Sequence, residues 1–140
     1  MPNNFLLRTD SYKLTHWKQY PPGTTHVYSY LESRGGMFPE TLFFGLQYYL
    51  KQYLQGPVFD TSDIDDADEF SRQHFGHAGY FNRAGWEHVL HKHGGRLPVK
   101  IMAVREGTVV PVSNVLMTIE NTDPCVPWLT NYLETLLLKV

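Results

Sequence analysis

Apolar residues recur with two different periods along this chain, and the texture changes after Leu97-Pro98. Before that point the steps are helical. Phe43, Leu46, Leu50, Tyr53 and Leu54 recur every three or four residues, which predicts a helix opened by Pro39 and stopped by Gly56-Pro57. Thr61 or Ser62 caps a second helix carrying Ile64, Ala67, Phe70 and His74 up to Gly76. Asn82 caps a third, with Trp86, Val89 and Leu90, up to Gly94-Gly95. Thr9 and Asp10 start a short helix ending at Tyr20 before Pro21-Pro22-Gly23. His26 to Glu32 is rich in β-formers and reads as a strand that delivers Arg34 and Gly35-Gly36 at its end.

Beyond Pro98, three β-branched runs, 99–105, 108–112 and 115–120, are separated by Glu106-Gly107 and Ser113-Asn114 and predict a small antiparallel meander. After the turn Asn121-Thr122-Asp123-Pro124, the residues Trp128, Leu129, Tyr132, Leu133, Leu136, Leu137 and Val140 mark one face of a last helix. No Gly, Asn or Pro closes that pattern, so polypeptide is expected to continue past Val140, and the open apolar stripe is expected to drive self-association. The fold class expected is α+β: several helices packed on a small, mostly antiparallel sheet, forming one unit over residues 1–140.

Composition narrows the partners. Twelve Lys and Arg against fourteen Asp and Glu leave a net charge of -2, which speaks against a nucleic-acid footprint. The lone Cys125 makes no internal disulfide and suits a reducing, cytoplasmic setting, with an inert thiol. Met1 to Arg8 lacks the pattern of a secretory leader, and the longest aliphatic run near the other end is Leu136 to Leu138, so neither secretion nor membrane spanning is expected. Aromatic residues reach 14%, enough for a core that doubles as a stacking or interface surface.

Several local patterns invite chemistry. The acidic group Asp60, Asp63, Asp65, Asp66, Asp68 and Glu69 fails the calcium-loop spacing and reads as the acidic first turn of a helix. Histidines 74, 77, 88, 91 and 93 lack an HExxH motif or a supporting carboxylate nearby, so helix-end capping is preferred over a metal site. Ser33-Arg34-Gly35-Gly36 couples a planar guanidinium to a permissive backbone, a pattern suited to phosphate, although on pattern alone a turn with a solvated Arg is the preferred reading. Thr9-Asp10-Ser11-Tyr12-Lys13 gathers a carboxylate, a phenol and an ammonium in one turn, and on spacing alone reads as an N-cap followed by surface residues.

In order and spacing, several longer strings carry more weight. Thr9 to Lys13, Thr15-His16, Lys18 to Pro22, Tyr28-Ser29-Tyr30 and Glu32-Ser33-Arg34 resemble the opening of the nicotinamide phosphoribosyltransferase family. Phe44 to Tyr48, Gly107 to Pro111, Asn114-Val115-Leu116, Glu120 to Pro124, Trp128 to Asn131 and Glu134-Thr135 extend the resemblance over nearly the whole chain, with 59–83 the least diagnostic part.

The resemblance implies the N-terminal domain of a type II phosphoribosyltransferase, cut before the barrel. It implies transfer of phosphoribosyl from phosphoribosyl pyrophosphate to nicotinamide, giving nicotinamide mononucleotide and pyrophosphate for NAD salvage. It also implies assistance by Mg2+ bound with phosphoribosyl pyrophosphate rather than by this chain, and a homodimer with shared active sites. Carried over residue by residue, it makes Tyr12 a stacking partner for the pyridine ring across the dimer interface, with Asp10 beside it. Arg34 reaches the pyrophosphate or phosphate side, and Lys13 is a further substrate-binding candidate. The family's barrel, with its phosphorylatable histidine, amide-selecting aspartate and most phosphate loops, has no counterpart here, so the isolated chain is expected to be inactive. Two other readings stay open: a nicotinate phosphoribosyltransferase, and a non-catalytic module for assembly or regulation.

Overall fold

Residues 4–140 are described by a computed structural model, and they form an α+β fold without a closed barrel. Of the stretch Met1 to Arg8, in which no secretory leader is expected, the first three residues lie outside the described part. No helix among the described residues is long and apolar enough to cross a membrane.

Two helices follow the sequence pattern closely. α2 (Thr61–Phe75) buries Ile64, Ala67 and Ser71, and α3 (Arg83–His93) buries Trp86 and Val89. The N-cap of α2 is Asp60 rather than Thr61 or Ser62. Its Oδ1 accepts the Ser62 and Asp63 N–H groups, and Asp63 reaches back to the Asp60 N–H to complete a capping box. Part of the acidic run is thereby explained as a helix start. Asn82 caps α3 by accepting the Gly85 N–H at 3.1 Å.

Gly85 illustrates how tightly α3 packs. A Cβ there would lie 2.5 Å from the Asn82 amide nitrogen and 2.8 Å from the Trp128 ring. Gly→Ala inside a helix ordinarily stabilises by about 1 kcal/mol. Here the sign reverses: Gly85→Ala is expected to lower the melting temperature, and a variant that melts at or above wild type would refute the close approach.

The helix expected from Pro39 begins later. β2 (Glu40–Leu42) pairs antiparallel with β4 (Val109–Pro111), in the register Glu40↔Pro111 and Leu42↔Val109. The pairing extends through Val112 N–H to the Pro39 carbonyl and Phe43 N–H to the Thr108 carbonyl, each at 3.0 Å. Gly45, in the left-handed region with φ 110°, turns the chain into α1 (Leu46–Tyr49), which continues as a π-helical turn over Leu50–Leu54. The expected helix 9–20 is also different: two 3-10 turns, Ser11–Leu14 and His16–Gln19, follow a third at Phe5–Leu7.

The three C-terminal strands do not form a meander. β5 (Val115–Asn121) lies at the centre of a three-stranded antiparallel sheet, between β1 (Tyr28–Glu32) and β3 (Val99–Ala103), while β4 leaves to join β2. Ser29 and Ile101 therefore face Ile119 from opposite sides. Buried Asn121, at the end of β5, accepts the Val27 N–H and donates to the Thr25 and Asp123 carbonyls. Two of these bonds hold the approach to β1 against the end of β5, and the third shapes the turn that follows it.

The last helix is split into α4 (Leu129–Tyr132) and α5 (Glu134–Leu137). Its apolar stripe is not left open. Trp128, Leu129, Tyr132, Leu133, Leu136 and Leu137 are buried in the core, so the expectation of self-association through this stripe is withdrawn. Trp86 sits at the middle of that core, edge-on to Phe59, Trp128 and Tyr132 at ring-centre distances of 5.2, 4.9 and 5.0 Å.

Candidate functional site

The segment 9–16 is short and irregular because its stability comes from what it docks against. Thr9 Oγ1 donates to the Tyr132 carbonyl at 3.0 Å, and the Asp10 N–H donates to Thr135 Oγ1 at 3.2 Å. Thr135 Oγ1 in turn donates to Asp10 Oδ2 at 2.9 Å. These contacts latch the 3-10 turn Ser11–Leu14 onto α4 and α5, more than a hundred residues away in sequence.

Asp10 and Tyr12 are brought together directly: the Tyr12 hydroxyl donates to Asp10 Oδ2 at 3.0 Å. The Thr135 and Tyr12 hydroxyls hold the Asp10 carboxyl below the usual carboxylate range, and the same bond to Asp10 pushes the Tyr12 phenol up. Both hydrogen bonds end on Oδ2. Tyr12 remains 52% exposed, its ring 5.2 Å from that of His16 at a 47° tilt. An aromatic face is thus presented to solvent while its hydroxyl end is anchored to an ionised carboxylate.

Lys13 behaves differently from a free surface cation. It is 4% exposed, and its ammonium is hydrogen-bonded to the Glu134 carboxylate on α5, 5.3 Å from the centre of the Tyr12 ring. Arg34 is exposed on the loop after β1, and among the described residues no hydrogen bond or ion pair ties it to Asp10, Tyr12 or Lys13. Three of the four nominated residues therefore form one cluster, with Arg34 outside it.

The structure adds neighbours that spacing did not nominate. Asn131 Nδ2 donates to the Tyr20 hydroxyl at 2.8 Å, and Ser29 Oγ donates to Asn131 Oδ1 at 3.0 Å. Burial pushes the Tyr20 phenol up, against the lowering effect of Asn131. Two hollows share Asn131: one lined by His16, Gln19 and Tyr20, and a more apolar one between β1, β5 and the α4–α5 segment that reaches Glu134. The strings Trp128 to Asn131 and Glu134-Thr135 contain Asn131, Glu134 and Thr135, but no local period reveals that Glu134 and Thr135 meet residues 10–13 or that Asn131 meets Tyr20.

The lowered Asp10 carboxyl has a pH consequence. Its folded form binds a proton more weakly than the unfolded chain, so its stabilising contribution is present above about pH 4 and is lost as pH falls through the lower, folded value. Wild type should therefore melt above Asp10→Asn at pH 7, with the gap narrowing below about pH 4. Melting curves whose gap is the same at both pH values would contradict this.

The α+β fold thus presents an aromatic face whose hydroxyl end is anchored by a carboxylate, an arrangement suited to binding a flat ring. Residues 4–101 match the family described as nicotinamide phosphoribosyltransferase, N-terminal domain, and the chain belongs to that family. It is 53% identical over 138 residues to a nicotinamide phosphoribosyltransferase of Xanthomonas campestris pv. campestris (strain 8004), covering 99% of this chain and 29% of that relative. A nicotinamide phosphoribosyltransferase of Acinetobacter baylyi is 32% identical over 147 residues, covering 96% of this chain and 29% of its own length. One from Mycoplasma pneumoniae is 30% identical over 158 residues, covering 96% and 34%. The chain thus spans about three-tenths of the length of the curated relatives it matches.

Proposed function

We propose that this chain supplies the nicotinamide-side wall of an active site that transfers phosphoribosyl from phosphoribosyl pyrophosphate to nicotinamide, yielding nicotinamide mononucleotide and pyrophosphate in NAD salvage. The observation that carries the reading is the half-exposed Tyr12 ring held at its hydroxyl by Asp10. Family membership and the printed names of the relatives support it.

In this reading Tyr12 stacks on the pyridine ring and orients its nitrogen toward the anomeric carbon. The new bond joins that nitrogen to the anomeric carbon while the bond to pyrophosphate breaks. Asp10, kept ionised, anchors the Tyr12 hydroxyl and lies beside the stacking ring at the nicotinamide end of the pocket. Arg34 offers its planar fork to phosphate oxygens, and the Lys13 ammonium, held by Glu134, borders the Tyr12 ring. No residue of this chain is assigned a covalent bond or a proton transfer.

Magnesium does not fit these residues as a resident ion. Among the described residues, Asp10 is the one carboxylate hydrogen-bonded to Tyr12, and its Oδ2 already accepts two hydroxyls, whereas magnesium takes six oxygens. The ion's place in the proposed reaction is with the pyrophosphate oxygens. The homodimer belongs to the same proposal, supported by exposed Met37, Phe38, Leu42, Phe44 and Tyr48 on β2 and its flanks. So do a cytoplasmic location and the inactivity of these 140 residues alone, which carry the ring-binding wall without the rest of the family's catalytic machinery.

Tyr12→Ala, in an active enzyme carrying this chain, is expected to raise the nicotinamide KM about tenfold with little change in kcat, while Tyr12→Phe stays within about threefold of wild type. Initial-rate kinetics at saturating phosphoribosyl pyrophosphate read this directly. An unchanged KM for the alanine variant would sink the stacking role.

A further inference from the structure

The C-terminal end of α3 packs against the turn after β5, and three donors from the helix converge there on a single oxygen. His88 Nε2 lies 2.8 Å, His93 Nε2 2.7 Å and Lys92 Nζ 3.0 Å from Asp123 Oδ2. Asp123 is 2% exposed, and its other oxygen accepts the Cys125 N–H at 2.9 Å, which fixes the carboxylate in place. Three donors crowd an oxygen that has two lone pairs. Capping and the helix dipole do not account for this arrangement, because both imidazoles turn to a carboxylate on another element.

We propose that His88, His93 and Asp123 form a binding site for a divalent ion of the zinc class, with Lys92 giving up its place on the carboxylate. The ligand atoms of the three residues lie within 4.8 Å of one another. Zinc with bonds of about 2.0–2.2 Å brings tetrahedral ligands to about 3.4 Å apart, so the rearrangement is a matter of side-chain rotation. Two imidazoles and one carboxylate suit zinc and its neighbours; magnesium and calcium prefer all-oxygen sets with more ligands.

Access and charge both allow the exchange. The His88 and His93 side chains are 31% and 25% exposed, and that of Lys92 is 54% exposed, so its ammonium moves into water without unpacking the core. Replacing one ammonium by a divalent ion raises the positive charge facing a fixed anion. Beside the site runs an open cleft lined by Trp17, Tyr20, Asn82, His88, Cys125 and Trp128, so the His88 ligand borders solvent, the side from which a water would complete a tetrahedral set. Bound there, the ion would pin the end of α3 to the turn that leads from β5 into α4.

Zinc chloride titrated calorimetrically into the protein, with millimolar magnesium present throughout, tests the site. One saturable equivalent is expected, together with a rise in melting temperature. His88→Gln/His93→Gln should weaken binding at least about tenfold, whereas His74→Gln/His77→Gln and Cys125→Ser should leave it unchanged. If the double variant does not fold, cobalt(II) replaces zinc in wild type and in His88→Gln: an intense tetrahedral-type visible band that the single substitution abolishes supports the site. Absence of saturable zinc binding, equal affinity in the folded double variant, or a cobalt spectrum indifferent to His88→Gln would each overturn it.

Discussion

Trp86→Ala is expected to cost about 3–5 kcal/mol, a large share of a typical domain's stability of about 5–15 kcal/mol. Trp86 is fully buried, and its ring is the common neighbour of Phe59, Trp128 and Tyr132. Truncation would open one void bounded by three elements: the segment before α2, α3 itself and α4. Because aromatic rings filling edge-on positions cannot collapse into that void without leaving their rotamers, relaxation recovers little of the loss. Trp86→Phe separates volume from polarity. The indole N–H makes no hydrogen bond of good geometry among the described residues, although the Tyr132 hydroxyl lies on its side, so exchanging it for a smaller ring forfeits chiefly packing. Urea unfolding should rank wild type above Trp86→Phe and Trp86→Phe well above Trp86→Ala. An alanine variant within 1 kcal/mol of wild type would mean that the cluster does not anchor the core.

The same core shows why some of the fold was legible in the sequence and some was not. α2 and α3 carry their own punctuation, Asp60 with Asp63, Asn82, Gly76 and Gly94, so both the type and the limits of those helices follow from residues inside or next to them. β2 has no such local signature. Phe43 and Leu46 keep a helical step, yet the backbone of 39–43 is claimed by residues 107–112, whose approach is a tertiary event. Likewise the runs 99–105, 108–112 and 115–120 were recognisable as strands, but their neighbours in space were decided by β1 and β2. At the candidate site, Asp10 and Tyr12 are two residues apart and their proximity is readable. Their shared partner Thr135 and the Lys13 partner Glu134 come from the far end of the chain. The His88, His93 and Asp123 cluster was missed for the same reason: spacing along α3 draws attention to His88 and His91, whereas the carboxylate arrives from the β5 turn.

Glu134→Ala is the second large effect, because it strands a buried charge. Lys13 is nearly inaccessible, and its ammonium is hydrogen-bonded to the Glu134 carboxylate. Removing one partner of a fully buried pair costs about 3–5 kcal/mol. The Glu134 side chain is 48% exposed, so water entering the space it vacates can solvate Lys13 in part, and a loss of about 2 kcal/mol is expected. Lys13→Met keeps the aliphatic stem packed and leaves a carboxylate that already meets water, so it should cost less than Glu134→Ala. In the double variant Lys13→Met/Glu134→Ala the stranded ammonium is gone, and stability should recover above that of Glu134→Ala alone, a coupling that chemical denaturation of all four proteins measures. The asymmetry extends to the site. With the Lys13 ammonium released from α5, the turn that carries Tyr12 loses one of its tethers to the C-terminal segment while keeping the Thr9 and Asp10 bonds to Tyr132 and Thr135. Quenching of Tyr12 fluorescence by acrylamide, read in a background lacking the other exposed tyrosines, should therefore increase in Glu134→Ala. Purely additive stabilities in the four proteins would show that Lys13 and Glu134 are not energetically coupled.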